Sequence, residues 1–316
     1  MSLHIRGVGV FLSILVTVLL AADCGKSKTP LAPSDPAAST NPPPGETAPL
    51  PVPILLGPPG VLVGAGDIGM CGTTGAEKTA RLLDGIAGTV FTTGDNVYMR
   101  GTSEEFRNCY EPTWGRHRSR TRPVPGNHEY ETGGAGYYAF FGDRAGPGGA
   151  GYYSYPVGPW RVIALNSEIS SVTGSAQMEW LRAELANPRS LCTAVYWHRP
   201  LFTSGPNGDN PDMRNVWRTL YDANVDLVIN GHDHVYERFA PQDPDGRPDS
   251  QRGIRQFIVG TGGAMLYQFP QVRANSEVRA SVWGVAVFTL SSGGYQWEFV
   301  PVEGAGFRDS GSGVCH

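Results

Sequence analysis

The chain has 316 residues and a net charge of −4, with 17% charged, 40% hydrophobic and 10% aromatic residues. That apolar content excludes disorder over the whole length. The near-neutral balance, with no block of Lys or Arg, excludes a nucleic-acid module or a membrane binder held by a basic patch.

At the N-terminus, His4 and Arg6 precede an apolar run from Val8 to Ala22. The run falls short of the ~20 residues a spanning helix needs. A basic start, a short apolar core and small residues at the end read as a secretory signal over 1–23, with an uncleaved anchor as the alternative. Leu20-Ala21-Ala22-Asp23-Cys24 resembles a bacterial lipoprotein cleavage box, which makes Cys24 a candidate for acylation and membrane anchoring through lipid. Asp23 departs from that box, which favours Gly, Ala or Ser before the cysteine. Lys26–Gly60 carries 11 of the 26 prolines, so 24–60 is expected to be an extended tether. The folded part then covers 61–303, with a tail over 304–316.

Beyond residue 60, short apolar runs mark buried strands at Val61–Val63, Val90–Phe91, Val162–Leu165, Ala194–Tyr196 and Leu227–Ile229. Helical patterns lie between some of them. Ala76–Ala87 places Thr79, Ala80, Leu83 and Ile86 on one face. Ser175–Ala186 groups Met178, Leu181 and Leu185, with Ser175 as N-cap. Pro211–Ala223 opens with Pro in its first turn and repeats Val216 and Leu220. Alternating strands and helices predict an α/β layered domain. Phe257–Val259, Val285–Leu290 and Tyr295–Val300 read as a mostly antiparallel sheet section.

Setting Cys24 aside leaves Cys71, Cys109, Cys192 and Cys315, which allow three pairings. We favour Cys71–Cys109, tying two loops that follow adjacent strands, and Cys192–Cys315, pinning the tail. Both pairs suit an oxidising compartment. With the leader, they predict a secreted, periplasmic or cell-surface protein.

The chemistry follows the strands. Val61–Val63 runs into Gly64-Ala65-Gly66-Asp67, and Val90–Thr93 into Gly94-Asp95-Asn96-Val97-Tyr98. Pro123–Pro125 runs into Gly126-Asn127-His128-Glu129. Ala194–Trp197 ends at His198, and Leu227–Asn230 at Gly231-His232-Asp233-His234. Ligands collect where strand C-termini open into loops. Four of the seven histidines sit at these ends; His4, His117 and His316 do not. One such residue has a bland explanation as a cap, a turn or a core histidine. Five strand ends in series do not.

The motifs GDxG, GDxxY, GNHE, a lone His after an apolar strand, and GHxHxYxR resemble the calcineurin-like metallophosphoesterases, specifically their purple acid phosphatase-like branch. The resemblance spans residues 64–238. It implies a four-layer α/β/β/α sandwich with two mixed sheets flanked by helices. It also implies a dinuclear centre, with one metal on Asp67, Asp95, Tyr98 and His234 and the other on Asp95, Asn127, His198 and His232. Carboxylate and imidazole donors suit Fe, Mn or Zn better than Ca or Mg. In the commoner branch the first motif ends in a ligating His, where this chain has Gly69. Tyr98 fills that gap with a phenolate, which favours Fe(III) beside Fe(II), Zn(II) or Mn(II). Such a centre carries a charge of about +1 before substrate binds, so the chain's negative net charge does not oppose phosphate.

The function implied is hydrolysis of phosphomonoesters by a metal-activated hydroxide. A phosphodiesterase or nucleotide hydrolase, or a metal-containing binding protein without turnover, are the alternatives. His128, beside the ligand Asn127, is placed to protonate the leaving alkoxide or to bind a phosphate oxygen. Relatives often carry another histidine in the loop after His198; here Asn207 takes that place and can bind phosphate without acting as an acid. Arg199 and Arg238 flank ligand strands and either touch phosphate or form salt bridges.

Overall fold

The computed structural model describes residues 57–187 and 190–316. The leader, Cys24 and the tether up to residue 56 lie outside the described residues. Among those described, no helix is long and apolar enough to cross a membrane. β1 (Gly60–Gly64) is followed by β2 (Gly69–Met70), α1 (Gly75–Asp84), β3 (Thr89–Thr92), β4 (Val97–Tyr98) and α2 (Ser103–Glu105). Next come β5 (Thr121–Pro123), α3 (Asn127–Tyr130), α4 (Ala135–Phe141), β6 (Tyr153–Val157), β7 (Trp160–Ala164) and α5 (Ala176–Leu185). β8 (Thr193–Tyr196), α6 (Arg214–Asp222), β9 (Leu227–Asn230), β10 (Tyr236–Phe239) and β11 (Arg255–Val259) precede four last strands. These are β12 (Ser276–Ala280), β13 (Gly284–Ser291), β14 (Gly294–Pro301) and β15 (Asp309–Val314).

The five apolar runs become β1, β3, β7, β8 and β9, and each pairs in parallel with a neighbour. They form the middle of two sheets, ordered β15-β14-β13-β1-β3-β5 and β12-β10-β11-β9-β8-β7-β6. Continuous apolar sequence suits them because both faces are covered. In the seven-stranded sheet, Val162, Ala164, Leu227 and Ile229 belong to the core shared with the other sheet, whereas Ile163, Val195 and Val228 pack with Met178, Leu181, Val216, Trp217 and Leu220 of α5 and α6. Phe257 meets Phe288 edge-on across the first of these cores, with centroids 5.1 Å apart. On the six-stranded sheet, α1 lies against β13. The layers are therefore helix, sheet, sheet and helix, as expected.

Two expectations change. Phe257–Val259 does not join Val285–Leu290 and Tyr295–Val300 in one antiparallel section. β11 pairs in parallel with β9 in the seven-stranded sheet, while β13 and β14 pair antiparallel in the other. An apolar run encodes burial, not the identity of its partner. Ser175 occupies the N-cap position of α5, yet its hydroxyl makes no capping bond and is buried without a partner. Before α6 the cap is Asn210, whose side chain accepts a hydrogen bond from the Asp212 amide at 3.3 Å.

Both expected disulfides are present, Cys71–Cys109 and Cys192–Cys315. The second spans 123 residues, and closing so long a loop restricts the unfolded chain most. It holds a C-terminal segment that also supplies β15. Asp226 lies beside this bridge, but both sulfurs are bonded to each other, so the trio is not a cation site.

The Asp226 carboxylate accepts hydrogen bonds from the Thr193 amide (2.8 Å) and the His316 amide (3.0 Å). Burial nevertheless raises its carboxyl from 3.8 to about 7. A folded state that holds this proton more tightly than the unfolded chain loses stability as the pH rises between those two values. The melting temperature is therefore expected to fall by a few degrees between about pH 5 and about pH 8, and Asp226→Asn to flatten that slope. Thermal melts across this range check it; an equal slope in the variant would contradict the assignment.

Candidate metal centre

The site lies at the C-terminal ends of β1, β3, β5, β8 and β9. Asp67, Asp95 and His232 have positive φ angles of 59°, 47° and 71°, three of the four non-glycine residues in that region among those described. Such backbone is disfavoured and collects at functional sites, where the surrounding structure holds it. Glycine is needed next to them for space. A Cβ on Gly126 would come 2.3 Å from Asp95 Oδ1, and Gly94, at φ 92°, passes so close to His198 that a Cβ would meet Nδ1 at 2.7 Å.

Two groups of donors share Asp95. In the first, Tyr98 Oη donates to Asp67 Oδ1 (2.8 Å), lies 3.1 Å from Asp95 Oδ2 and faces His234 Nε2 at 2.9 Å. In the second, His198 Nε2 is 3.0 Å from Asn127 Oδ1, 3.2 Å from Asp95 Oδ2 and 3.1 Å from His232 Nδ1. All seven expected ligands thus converge. Their far sides are tied down: His198 Nδ1 donates to the Thr93 carbonyl (2.8 Å) and His234 Nδ1 to the Met265 carbonyl (2.6 Å), leaving both Nε2 atoms turned inward. Orientation of this kind holds a ligating imidazole in the tautomer a metal needs.

The site gathers buried negative charge that only histidines meet. Asp67 and Asp95 are buried, and no Lys or Arg meets either carboxylate among the described residues. A buried charge without compensation costs several kcal/mol, on the order of 3–5 when a partner is removed. Burial works against the Asp95 carboxylate, but His198 and His128 hold it below the usual range. The same contact pulls His198 up to about 10 against the effect of burial. Burial and the positive charges of His198 and Arg199 push His232 down to about 2, so that ring is neutral with a lone pair to offer. Burial, with the Asp67 and Asp95 charges beside it, pushes the Tyr98 phenol well above 10. The mixture of carboxylate, phenol, amide and imidazole fits transition ions sharing Asp95, and the protons of His198 and Tyr98 are those such ions would displace.

His128 is at the mouth, its side chain 23% exposed. Its amide donates to Asp95 Oδ1 (3.0 Å), its Nδ1 to the Met99 carbonyl (2.5 Å), and its ring packs on Tyr98 with centroids 4.4 Å apart. Nε2 is left 3.8 Å from Asp95 Oδ2. Asn207 Nδ2 donates to the His232 carbonyl at 2.7 Å and, among the described residues, hydrogen-bonds none of the converging donor atoms. Arg199 pairs with Glu168 (3.0 Å) and brings Nη1 within 3.3 Å of His232 Nε2. Arg238 is structural: it pairs with Asp309 at 2.8 Å and with Glu277, and its guanidinium packs over Trp297.

Four supporting groups went unassigned in the sequence. Glu129 is buried and accepts the amides of Gly126 (2.8 Å) and Val97 (3.1 Å), joining the loop of Asp95 and Tyr98 to that of Asn127. Asp233 accepts the Thr203 hydroxyl (2.5 Å) and the Asn207 amide (3.0 Å), fixing the Asn207 loop. Both lie inside motifs, which was the available signal. Met265, and Tyr267 stacked on His234 at 4.0 Å, come from a loop after β11 that carries no motif.

The model of the calcineurin-like phosphoesterases matches residues 61–236, more than half of the chain. The chain belongs to this family. Its curated relatives place it in the purple acid phosphatase-like branch. It is 27% identical over 218 residues to purple acid phosphatase 15 of Arabidopsis thaliana, covering 57% of this chain and 41% of that one. It is 30% identical over 263 residues to an uncharacterized protein of Mycobacterium tuberculosis, covering 66% of this chain and 47% of the relative. The chain thus spans about half or less of the length of these relatives. A purple acid phosphatase from yellow lupin (Lupinus luteus) seeds shares the fold, with a TM-score of 0.63 at 19% identity over 81% of this chain and 54% of its own.

Proposed function

We propose that this calcineurin-like phosphoesterase is an exported dinuclear phosphatase that hydrolyses phosphomonoesters. The observation that carries the reading is the pair of donor groups sharing Asp95, each closed to within 3.3 Å. Asp67, Asp95, Tyr98 and His234 would hold one ion, and Asp95, Asn127, His198 and His232 the other, as Fe(III) with Fe(II), Zn(II) or Mn(II). Bound ions supply positive charge at the phosphoryl oxygens and acidify a water for in-line attack. His128, exposed at the mouth and oriented by the Met99 carbonyl, donates a proton from Nε2 to the leaving oxygen. Asn207, held by His232, offers its remaining amide proton to a phosphate oxygen. Export rests on the leader and is supported by the two disulfides; acylation at Cys24 would add a lipid anchor.

The test pairs hydrolysis of p-nitrophenyl phosphate and bis-p-nitrophenyl phosphate with visible absorption of the metal-loaded protein. We expect the monoester to be favoured and a tyrosinate–Fe(III) charge-transfer band to vanish in Tyr98→Phe. A diester preference would make it a phosphodiesterase. A colourless, fully active Zn or Mn protein would overturn the iron assignment, and a fully metallated protein without turnover would make it a binding protein.

A further inference from the structure

Support for the two donor groups is uneven. The segment after β11, residues 260–267, lies beyond the residues that the family model matches, and it braces one group alone. The Gly262 amide donates to the Gly66 carbonyl and the Ala264 amide to the Asp67 carbonyl, both at 2.8 Å. The Met265 carbonyl accepts His234 Nδ1, and the Tyr267 amide donates to the His234 carbonyl at 3.0 Å. The segment is anchored in turn by residues just ahead of β13. Trp283 Nε1 donates to the Ala264 carbonyl (2.7 Å) and the Ser281 hydroxyl to the Tyr267 carbonyl (2.5 Å). Among the described residues, no hydrogen bond or ring contact of residues 261–267 reaches Asn127, His198 or His232.

At His234 the segment fixes more than one direction. A histidine ring turns about χ2 in a broad torsional well, so its own rotamer preference does not set its plane. The bond from Nδ1 to the Met265 carbonyl fixes one direction of the ring and leaves rotation about that line open. Tyr267 closes it, because its ring lies parallel to the imidazole, at 8° and with centroids 4.0 Å apart. Nε2 is then held 2.9 Å from Tyr98 Oη and 3.3 Å from Asp67 Oδ1. His198 has no such stack; its ring contact is edge-on with His232, itself a candidate ligand. The Tyr267 hydroxyl makes no hydrogen bond among the described residues, so the face of the ring is the part in use.

We infer that Tyr267 is a positioning residue for one of the two proposed ions, the one on Asp67, Asp95, Tyr98 and His234. Its ring sets the plane of His234, and without it the centre binds that ion more weakly while the other ion is unaffected. The inference rests on the dinuclear reading above. Groups that orient a metal ligand typically carry about 10–100-fold in metal affinity.

The experiment challenges the metal-loaded wild type, Tyr267→Ala, Tyr267→Leu and Tyr267→Phe with graded EDTA. It counts the ions left per chain by elemental analysis and follows the visible band that depends on Tyr98. In Tyr267→Ala one ion is expected to bind about 10–100-fold more weakly than in wild type, with the band lost alongside it, and the other ion as in wild type. Tyr267→Leu keeps apolar bulk without a stacking face, so it is expected to behave like the alanine variant and to stand in for it should that variant not fold. Tyr267→Phe keeps the ring and is expected to match wild type. Adding Tyr267→Ala to His234→Ala should change ion retention no further, since Tyr267 acts through His234; this cycle identifies the ion even in a colourless protein. Unchanged retention in both the alanine and leucine variants, equal weakening of both ions, a phenylalanine variant as weak as the alanine one, or additive effects in the cycle overturn the role of Tyr267 and leave the two-ion centre standing. Fewer than two ions in the loaded wild type overturn the dinuclear reading and the role of Tyr267 with it.

Discussion

Replacing Asp95 by Asn is expected to lower kcat/KM for p-nitrophenyl phosphate by about 10³ or more while the protein stays folded. Asp95 is the one side chain common to both donor groups: Oδ2 meets Tyr98 Oη at 3.1 Å and His198 Nε2 at 3.2 Å, and Oδ1 accepts the His128 amide. An amide of the same shape fills the space but removes the negative charge. It also turns an NH2 group toward donors, either the His128 amide or the Tyr98 and His198 pair. Two cations held there, as proposed, would repel without a shared carboxylate between them. Folding should survive, because the amide keeps the shape of the side chain and creates no cavity, although the loss of the His198 contact lowers stability. Steady-state kinetics beside a thermal melt check this result. Activity within about tenfold of wild type would show that Asp95 is not shared between two ions.

His128→Ala is expected to reduce kcat by about 10²–10³, with the larger loss for an alkyl phosphate such as glycerol phosphate. The reason is geometric. His128 is held by its Nδ1 bond to Met99 and by packing on Tyr98, so Nε2 alone is free to face a leaving group. An alkoxide needs a proton as it departs, whereas p-nitrophenolate leaves without one. Asn207 cannot supply that proton, since an amide does not titrate as an acid in water. Comparing kcat for the two substrates in wild type and variant separates the roles. Equal losses would assign His128 to phosphate binding alone.

Much of this centre was readable in the chain because strand and ligand are contiguous. An apolar run of two to four residues followed within a few positions by Asp, Asn or His states both where the backbone is buried and what emerges from it. The five runs lie at parallel strands, and each of the seven ligand candidates lies within hydrogen-bonding distance of at least one other, in two groups joined at Asp95. What escaped the sequence depends on contacts between distant segments. β11 joins β9 rather than β13 because its partner is chosen by packing of whole sheets. Met265 and Tyr267 support His234 from a loop whose own residues show no periodicity or motif. Asp67, Asp95 and His232, whose φ angles are positive, each come directly after a glycine, which hinted at tight turns without saying which residue would take the strained conformation. Ser175 shows the reverse case, a residue type that suits a cap but whose hydroxyl is buried away from the helix amides.

The most direct measurement is the metal content of the folded chain, purified without chelators and quantified by elemental analysis against protein concentration. The two donor groups around Asp95 predict about two transition-metal ions per chain, with iron as one of them. A fully active protein carrying one ion or none would contradict the dinuclear centre on which the proposed function stands.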